Sequence, residues 1–453
     1  MGYFSNNMVR LIILKDKRSF MNSIWSKTIE LPNFPSLKGD IKTDVLIIGG
    51  GITGILCAHF LQKAGVDYIL VEGKQICSGV TKNTTAKITS QHGLLYHKLL
   101  EKFDLEYARK YLEINQMAVE KYRQLCEGKD CDFEEKSSYV YSLDDKRKLE
   151  KEMDALGKIG FQAVLNKTWE LPFQTAGAVM FLDQAQFHPL KFIQNIVNGL
   201  RIYENTFVKE LEPHIAKTKE STISYDKVIF ATHFPIDNKH GKYFLKMYQN
   251  RSYVISLQNG PHLKGMYVDE ADKGMSFRTH RNSFLIGGGD HRTGKKGGNW
   301  NELREFAGNY FPNLKEEYYW AAQDCISLDS VPYIGRYSPN MPGCYVATGF
   351  NKWGITSAMV SAMLLTDMIL EKENEFAEIF NPDRSMLRVQ LLVNCGESIM
   401  NLLSFSKRRC PHLGCALKWN KIEHSWDCPC HGSRFTEEGN VLDNPSNSNV
   451  NWR

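Results

Sequence analysis

Hydrophobic positions along this chain change their period in a way that marks elements before any residue chemistry is considered. Val45 to Ile48 form an unbroken apolar run of strand length, glycines follow, and apolar residues resume at Ile52, Ile55, Leu56 and Phe60, the spacing of a helix face. Strand, turn and helix are therefore predicted across residues 43–65. A second strand, DYILVE, ends at Glu72. YDKVIFATHFP, from Tyr225, predicts another buried strand that closes on small residues. GCYVATGFNKWGITSAMVSAMLLTDMIL predicts a strand, a loop and a helix that starts at Gly354. Leu105 to Cys126 suits a long covering helix. Strands alternating with helices in this way belong to the α/β class.

Length and charge narrow the possibilities. The 453 residues are 42% apolar and 24% charged, enough chain for two or three domains with a large core. A formal charge of +5, spread over 56 basic and 51 acidic side chains, is too small and dispersed for a polyanion partner, so no nucleic acid is expected. The apolar stretches LIIL at Leu11 and MVSAMLLTDMIL at Met359 fall short of the roughly 20 residues a bilayer demands, and no transmembrane span is expected. Eleven cysteines in a chain this long do not make a secreted disulfide framework, and no cleavable signal pattern opens it. The expected location is cytoplasmic. Cys126 and Cys131 could close a small bridge, but free thiols are the default there. Residues 1–20 carry little pattern, Met21 would serve equally well as a start, and the segment is assigned no role.

The glycines between the first strand and helix carry the first chemistry. Gly49, Gly51 and Gly54 make G-x-G-x-x-G: a tight turn, close approach of a pyrophosphate, and helix packed on strand. Glu72 closes the second strand, where a carboxylate binds the ribose hydroxyls of an adenine dinucleotide. A bare βαβ turn could show the glycines alone; strand, helix and terminal acid in register favour dinucleotide binding. The fingerprint does not separate FAD from NAD. GVTKNTTAKITSQHG, from Gly79, is rich in hydroxyls and amides, and LIGGGDHRTG at Leu285 lacks the spacing of a second nucleotide site.

Taken together, these stretches resemble the FAD-dependent amino-acid oxidase family, which includes D-amino-acid, glycine and sarcosine oxidases, over Thr43 to Glu371. The resemblance implies a Rossmann-like FAD-binding domain interleaved with an α+β substrate domain. Residues 1–42 would be a lead-in, 43–99, 172–234 and 321–381 the FAD-binding domain, and 100–171 and 235–320 the substrate domain. Gly49, Gly51, Gly54 and Glu72 would hold the ADP half of FAD. Thr84, Thr85 and Ala86 would approach the flavin, Val208 would lie beside adenine, and Gly349, Trp353 and Gly354 would bring a helix start to the ring's pyrimidine end. There the helix amides and dipole stabilise negative charge. The resemblance does not fix a catalytic residue; Arg278, Arg281 and Arg292 are candidates for binding a substrate carboxylate.

The end of the chain concentrates soft ligands. CPHLGCALKWNKIEHSWDCPCHGS runs from Cys410 to Ser433 and offers Cys410, His412, Cys428 and His431 as a tetrad that zinc would accept. Zinc gives no reason for Cys415 and Cys430, one in each knot. CPHLGC and CPCHGS resemble the Rieske signature of cytochrome bc complexes. That resemblance implies a [2Fe–2S] cluster, with Cys410 and Cys428 on one iron, His412 and His431 on the other, and a Cys415–Cys430 disulfide clamping the loops. It also implies that Ser433 donates to a sulfide, and it places Phe435 where high-potential relatives carry a tyrosine that donates to a ligand sulfur. A small all-β Rieske domain over 382–453 is expected. Little sequence precedes the first knot, so its supporting sandwich is expected to shrink to RVQLLVNCGE and IMNLL plus the strands after the cluster, and to lean on the rest of the protein.

The chain as a whole resembles bacterial FAD-dependent oxidoreductases of the amino-acid-oxidase family with a C-terminal Rieske domain. A flavin accepting two electrons beside a one-electron cluster implies oxidation of a small amine or amino acid, with electrons passed singly to an external acceptor. A reductase running the opposite way, fed by an external donor, and a redox sensor or carrier without turnover are the alternatives.

Overall fold

The apolar run Ile41–Ile48 sits inside a parallel sheet, paired to Tyr68–Val71 on one side and to Thr222–Phe230 on the other. Burial on both faces is why its second half is uniformly hydrophobic. Cys344–Thr348 continues the sheet in parallel, Tyr333–Arg336 adds an antiparallel edge, and Ile202–Tyr203 closes the other side. The helices Ile52–Lys63 and Gly354–Ile369 pack together in one large core above this sheet. The computed structural model describes residues 22–237 and 240–452, so residues 1–20 lie outside the described residues.

A second sheet of nine strands carries the long antiparallel ladder of Met247–Gln258 between Ser283–Arg292 and Lys315–Ser327. The helix Leu105–Cys126 starts at Asp104, whose side chain accepts from the Tyr107 amide, and buries Ala108, Tyr111, Leu112, Asn115, Ala118 and Val119 on one face. Two long strands depart from the expected division of the chain, as does the short Lys87–Ile88, expected with the FAD-binding segments but paired with Gly177–Gln186 in the second sheet. Gly177–Gln186 was expected with the FAD-binding segments but runs antiparallel to Glu134–Ser142, from Glu134↔Gln186 to Ser142↔Gly177. Lys315–Ser327, which the expected boundary at 321 cuts, is one continuous partner of Met247–Gln258. In both, cross-strand pairing holds the segment in the second sheet. LIGGGDHR lies within the antiparallel strand Ser283–Arg292. Cys126 and Cys131 are free, buried thiols.

The last 70 residues form a four-stranded sheet of Lys418–Asn420, Ser425–Asp427, Arg434–Phe435 and Val441–Asp443. The short strands expected from RVQLLVNCGE and IMNLL are instead one helix, Val389–Leu402. Its polar positions, Gln390, Asn394, Glu397 and Asn401, recur every three or four residues, a helical period that the apolar density of the segment masks. Asn394 and Asn401 are its buried residues.

Candidate active site and cluster site

A cavity of about 970 Å³ runs between the two sheets and is lined by Gly49, Gly51, Glu72, Thr84, Thr85, Val208, Trp353 and Gly354. Eight of the expected cofactor positions therefore face one space. Gly54, Ala86 and Gly349 do not reach its wall and act from behind it. A Cβ on Gly54 would stand 1.9 Å from the Gly49 carbonyl oxygen, so the helix can approach the strand only as glycine. Gly49, at φ +112°, would drive a Cβ to 2.5 Å from the Ala231 carbonyl oxygen. The helix Ile52–Lys63 begins at Gly51, which has no side chain to cap it; the Ile52 amide donates to Thr81 Oγ1 at 3.0 Å, and the amides of Thr53 and Gly54 are left for an anion. Glu72 is fixed over this turn by the amides of Gly50 (2.7 Å) and Lys74 (2.8 Å). An anionic dinucleotide fits this donor set.

The loop from Val80 to Ala86 is held by residues that sequence reasoning missed. The Trp25 indole donates to the Thr84 carbonyl at 2.7 Å and the Trp320 indole to the Asn83 carbonyl at 2.9 Å. Ala86 sits at φ +54°, an uncommon conformation for a residue with a Cβ. Trp353 stacks on His92 at 5.1 Å and an interplanar angle of 18°. Burial holds His92 neutral, at about 3, and its ring nitrogens meet Tyr111 Oη and the Thr89 carbonyl. Indole-to-carbonyl bonds across more than 50 residues leave no local trace in a sequence.

Arg281 and Arg292 are committed elsewhere, whereas Arg278 donates through Nη1 alone and keeps Nε and Nη2 buried without a hydrogen-bond partner among the described residues. Arg278 is fully buried away from the cavity wall, donates to the carbonyls of Thr85 and Ala86 (the latter at 2.7 Å), and stands over the Trp25 ring. Arg281 is an exposed partner of Asp132 at 2.8 Å. Arg292 reaches the cavity wall, but Nε donates to the Pro429 carbonyl at 2.9 Å, Nη2 to the Cys430 carbonyl at 2.8 Å and Nη1 to Asn394 Oδ1 at 2.9 Å. A substrate carboxylate would have to compete with backbone and amide acceptors already in place. The ionisable groups that do line the cavity include Asp290, Asp324 and Lys352, with Lys352 Nζ 3.0 Å from Asp290 Oδ1. Burial raises Asp324 to about 6 against the pull of Lys352.

At the other end, Cys410, Cys428 and the disulfide Cys415–Cys430 pack in one buried cluster with Phe435. The His412 and His431 rings meet edge-on at 5.0 Å. His431 Nδ1 is buried with no hydrogen-bond partner among the described residues, a nitrogen that a metal could take. The Cys428 sulfur, the Ser433 hydroxyl and the amides of His412 and Leu413 all lower the Cys410 thiol. Two imidazoles and two buried cysteine sulfurs around a disulfide fit a [2Fe–2S] cluster of Rieske type. Ser433 thus reaches Cys410, and its hydroxyl oxygen accepts from the Ser446 amide at 3.0 Å. Phe435 is completely buried against the cysteines without a donor to offer. Phe435→Tyr is expected to raise the reduction potential by stabilising the added negative charge; film voltammetry on both forms measures it, and an unchanged or lowered midpoint would mean the hydroxyl points away from sulfur.

The cluster loops are bonded to the cavity-bearing sheet. Gln249 Nε2 donates to the carbonyls of His431 (3.0 Å) and Asn444 (2.7 Å), and Gln323 Nε2 donates to that of Gly432 (2.9 Å). Gly294, at φ +75°, lets its loop pass so close that a Cβ would lie 2.6 Å from Pro429 N. Behind them, Glu423 accepts from Arg251 Nε and Tyr253 Oη, each at 2.9 Å, and from Arg434 Nη2 at 2.9 Å; Arg434 also binds Asp427 and Asp443 at 3.0 Å. No helix among the described residues is long and apolar enough to cross a membrane.

Comparison with known proteins agrees with this geometry. The family of FAD dependent oxidoreductases matches residues 44–368, and the Rieske [2Fe-2S] domain matches residues 385–452. YhfW of Bacillus subtilis, which carries the name of a Rieske 2Fe-2S iron-sulfur protein, is 33% identical over 485 aligned residues, covering 93% of this chain and 95% of its own. Among solved structures, L-proline dehydrogenase from P. horikoshii superposes with a TM-score of 0.64 at 18% identity, over 78% of this chain and 98% of its own. Glycine oxidase from Geobacillus kaustophilus gives the same TM-score and identity over 76% and 99%. The two solved structures share the fold of the larger part. With fold, cavity and family match in agreement, this chain belongs to the FAD dependent oxidoreductase family, as an enzyme that binds FAD and carries a Rieske [2Fe-2S] domain at its C-terminal end.

Proposed function

We propose that the protein oxidises a small amine or amino acid at its flavin and passes the electrons one at a time through the Rieske cluster to an external one-electron acceptor. The observation that carries this reading is the shared wall: Asp443, Asn444 and Ser446 of the cluster module line the same cavity as Gly49 and Glu72. Flavin, when bound, takes up two electrons with a hydride, whereas the cluster carries one. The chain's part is to hold both groups against one sheet and to orient the substrate. Gly49, Gly51, Gly54 and Glu72 would hold the ADP half, and Cys410, His412, Cys428 and His431 the two irons. Asp290 and Asp324, facing Lys352, give the cavity carboxylates suited to an ammonium group. The names of the two solved relatives, a proline dehydrogenase and a glycine oxidase, support the substrate class.

Anaerobic mixing with a panel of amines and amino acids tests the reading. A substrate should bleach the flavin, and the electron-spin signal of the reduced cluster should follow. Bleaching by none of them would favour the reductase or the sensor. Bleaching without cluster reduction would break the proposed relay. The pH dependence carries a sign: Asp324 is protonated below about 6, so capture of a cationic amine should improve as pH rises through that value. Asp324→Asn should flatten that limb of the kcat/KM profile, and a limb that persists in the variant would exclude Asp324 as its source.

A further inference from the structure

The helix Val389–Leu402 is turned inside out. Its polar side faces the protein: Asn394 Oδ1 accepts from Arg292, Asn394 Nδ2 donates to the Leu245 carbonyl at 3.3 Å, and Glu397 pairs with Lys295 at 2.6 Å. Its apolar side faces out. Val389, Leu392, Val393, Ile399, Met400 and Leu403 are between 48% and 79% exposed, and at 3.6 residues per turn they fall within an arc of about 120°. Phe405, two residues on, is fully exposed. Ordinary surface scatter places apolar residues singly, whereas these share one face over about four turns, interrupted at Gly396.

The charges around the stripe are of one sign. Arg388 precedes it and Lys407 and Arg408 follow; Glu397, the one acidic residue from Arg384 to Arg409, is turned inward to Lys295. We propose that this face docks on the surface of an anionic lipid bilayer, with the helix in the interface plane, its apolar stripe at the acyl boundary and the exposed Lys407 and Arg408 among the headgroups. Fourteen residues are too few to span, so the helix lies on the membrane. A second copy of the chain suits the face less well. Two-fold pairing of antiparallel stripes would set Arg388 of one copy near Lys407 of the other, like charge against like. Gln390 and Val393 also belong to the cavity wall, so the docked face stands beside the site where the flavin binds.

The proposal is independent of which substrate is oxidised, and its test leaves the chemistry untouched. Full-length holoprotein is floated with vesicles of phosphatidylcholine, with and without phosphatidylglycerol. The parent should float with the anionic vesicles, less with the neutral ones, and less at high salt. Combining Leu392→Ser, Ile399→Ser and Phe405→Ser should cut partitioning about tenfold or more, with flavin and cluster spectra unchanged. Phe405→Ser alone, outside the helix, should lower it without any risk to helix folding. Parent protein that floats with neither vesicle, or variants that float as well as the parent, would overturn the proposal; a dimer split by the same variants, in protein that ignores vesicles, would assign the face to a second copy.

Discussion

Replacing Arg434 by leucine is expected to cost about 3–5 kcal/mol in the C-terminal module and to make the cluster fall out well before the flavin domain unfolds. Arg434 is almost completely buried and serves Glu423, Asp427 and Asp443 at once. Among the described residues only Glu423 has another cation, Arg251. Removing the guanidinium leaves the buried Asp427 with no cationic partner beside the loop that carries Cys428 and His431, and such a group must either ionise in a poor solvent or take up a proton, while Asp443, 35% exposed, is left to water. Separate melting curves, cluster absorbance against flavin fluorescence, read the effect; coincident transitions in parent and variant would show that Arg434 carries no such weight. The same network sets an acid limit. Burial alone would raise the Glu423 carboxyl, but Arg251 and Arg434 outweigh it and hold it well below its ordinary value of 4.5. A depressed carboxyl stabilises the fold fully above its unfolded value and progressively less below it. The cluster signal should therefore become labile as pH falls below 4.5, while the Arg434→Leu protein should already be labile at neutral pH.

Gly294→Val should separate the two redox events. The glycine adopts φ +75°, and even a Cβ there would sit 2.6 Å from Pro429 N and 2.9 Å from Pro429 Cα, against an ordinary contact of 3.4 Å or more. Neither backbone can yield as a flexible side chain would, so the loop and the cluster arm must part, which lengthens the gap that electrons cross from flavin to cluster. Gly294 lies outside the cavity wall, so substrate should bleach the flavin at the parent's rate while cluster reduction slows. Rapid-mixing absorbance at flavin and cluster wavelengths distinguishes the phases. Equal slowing of both, or of neither, would place the path of electrons elsewhere.

What could be read from the sequence was what is encoded locally. Gly49, Gly51 and Gly54 act within six residues, and at Gly49 and Gly54 the steric demand appears directly as overlap of a hypothetical Cβ with neighbouring backbone. The candidate cluster ligands stood out in the sequence because two short knots carry cysteine and histidine at close spacing. The second sheet was harder: Gly177–Gln186 owes its place to Glu134–Ser142, and nothing near residue 177 announces that partner. Arg278, Arg281 and Arg292 looked alike in the sequence because an arginine does not reveal its acceptor. In the structure one braces a loop, one lies on the surface and one binds the cluster arm. The helix Val389–Leu402 was read as strands because amphipathic reasoning assumes that the apolar side goes inward, and here the polar side does. Gln249 and Gln323 were passed over for a related reason: an isolated glutamine in a strand is unremarkable until a carbonyl from nearly 200 or just over 100 residues away arrives to meet it.

That late arrival orders the making of the protein. A ribosome releases residues 249, 292 and 323 long before the two knots, and domains generally fold from the N-terminal side as they emerge. The carbonyls of Pro429, Cys430, His431 and Gly432 thus find their donors on a surface already formed. Iron insertion then comes after the flavoprotein has folded, and a chain whose first domain misfolds offers the assembly machinery only a loose pair of loops. Metal content in the cell becomes a proofreading mark for the whole polypeptide: iron-loaded molecules are those whose earlier two sheets were built correctly.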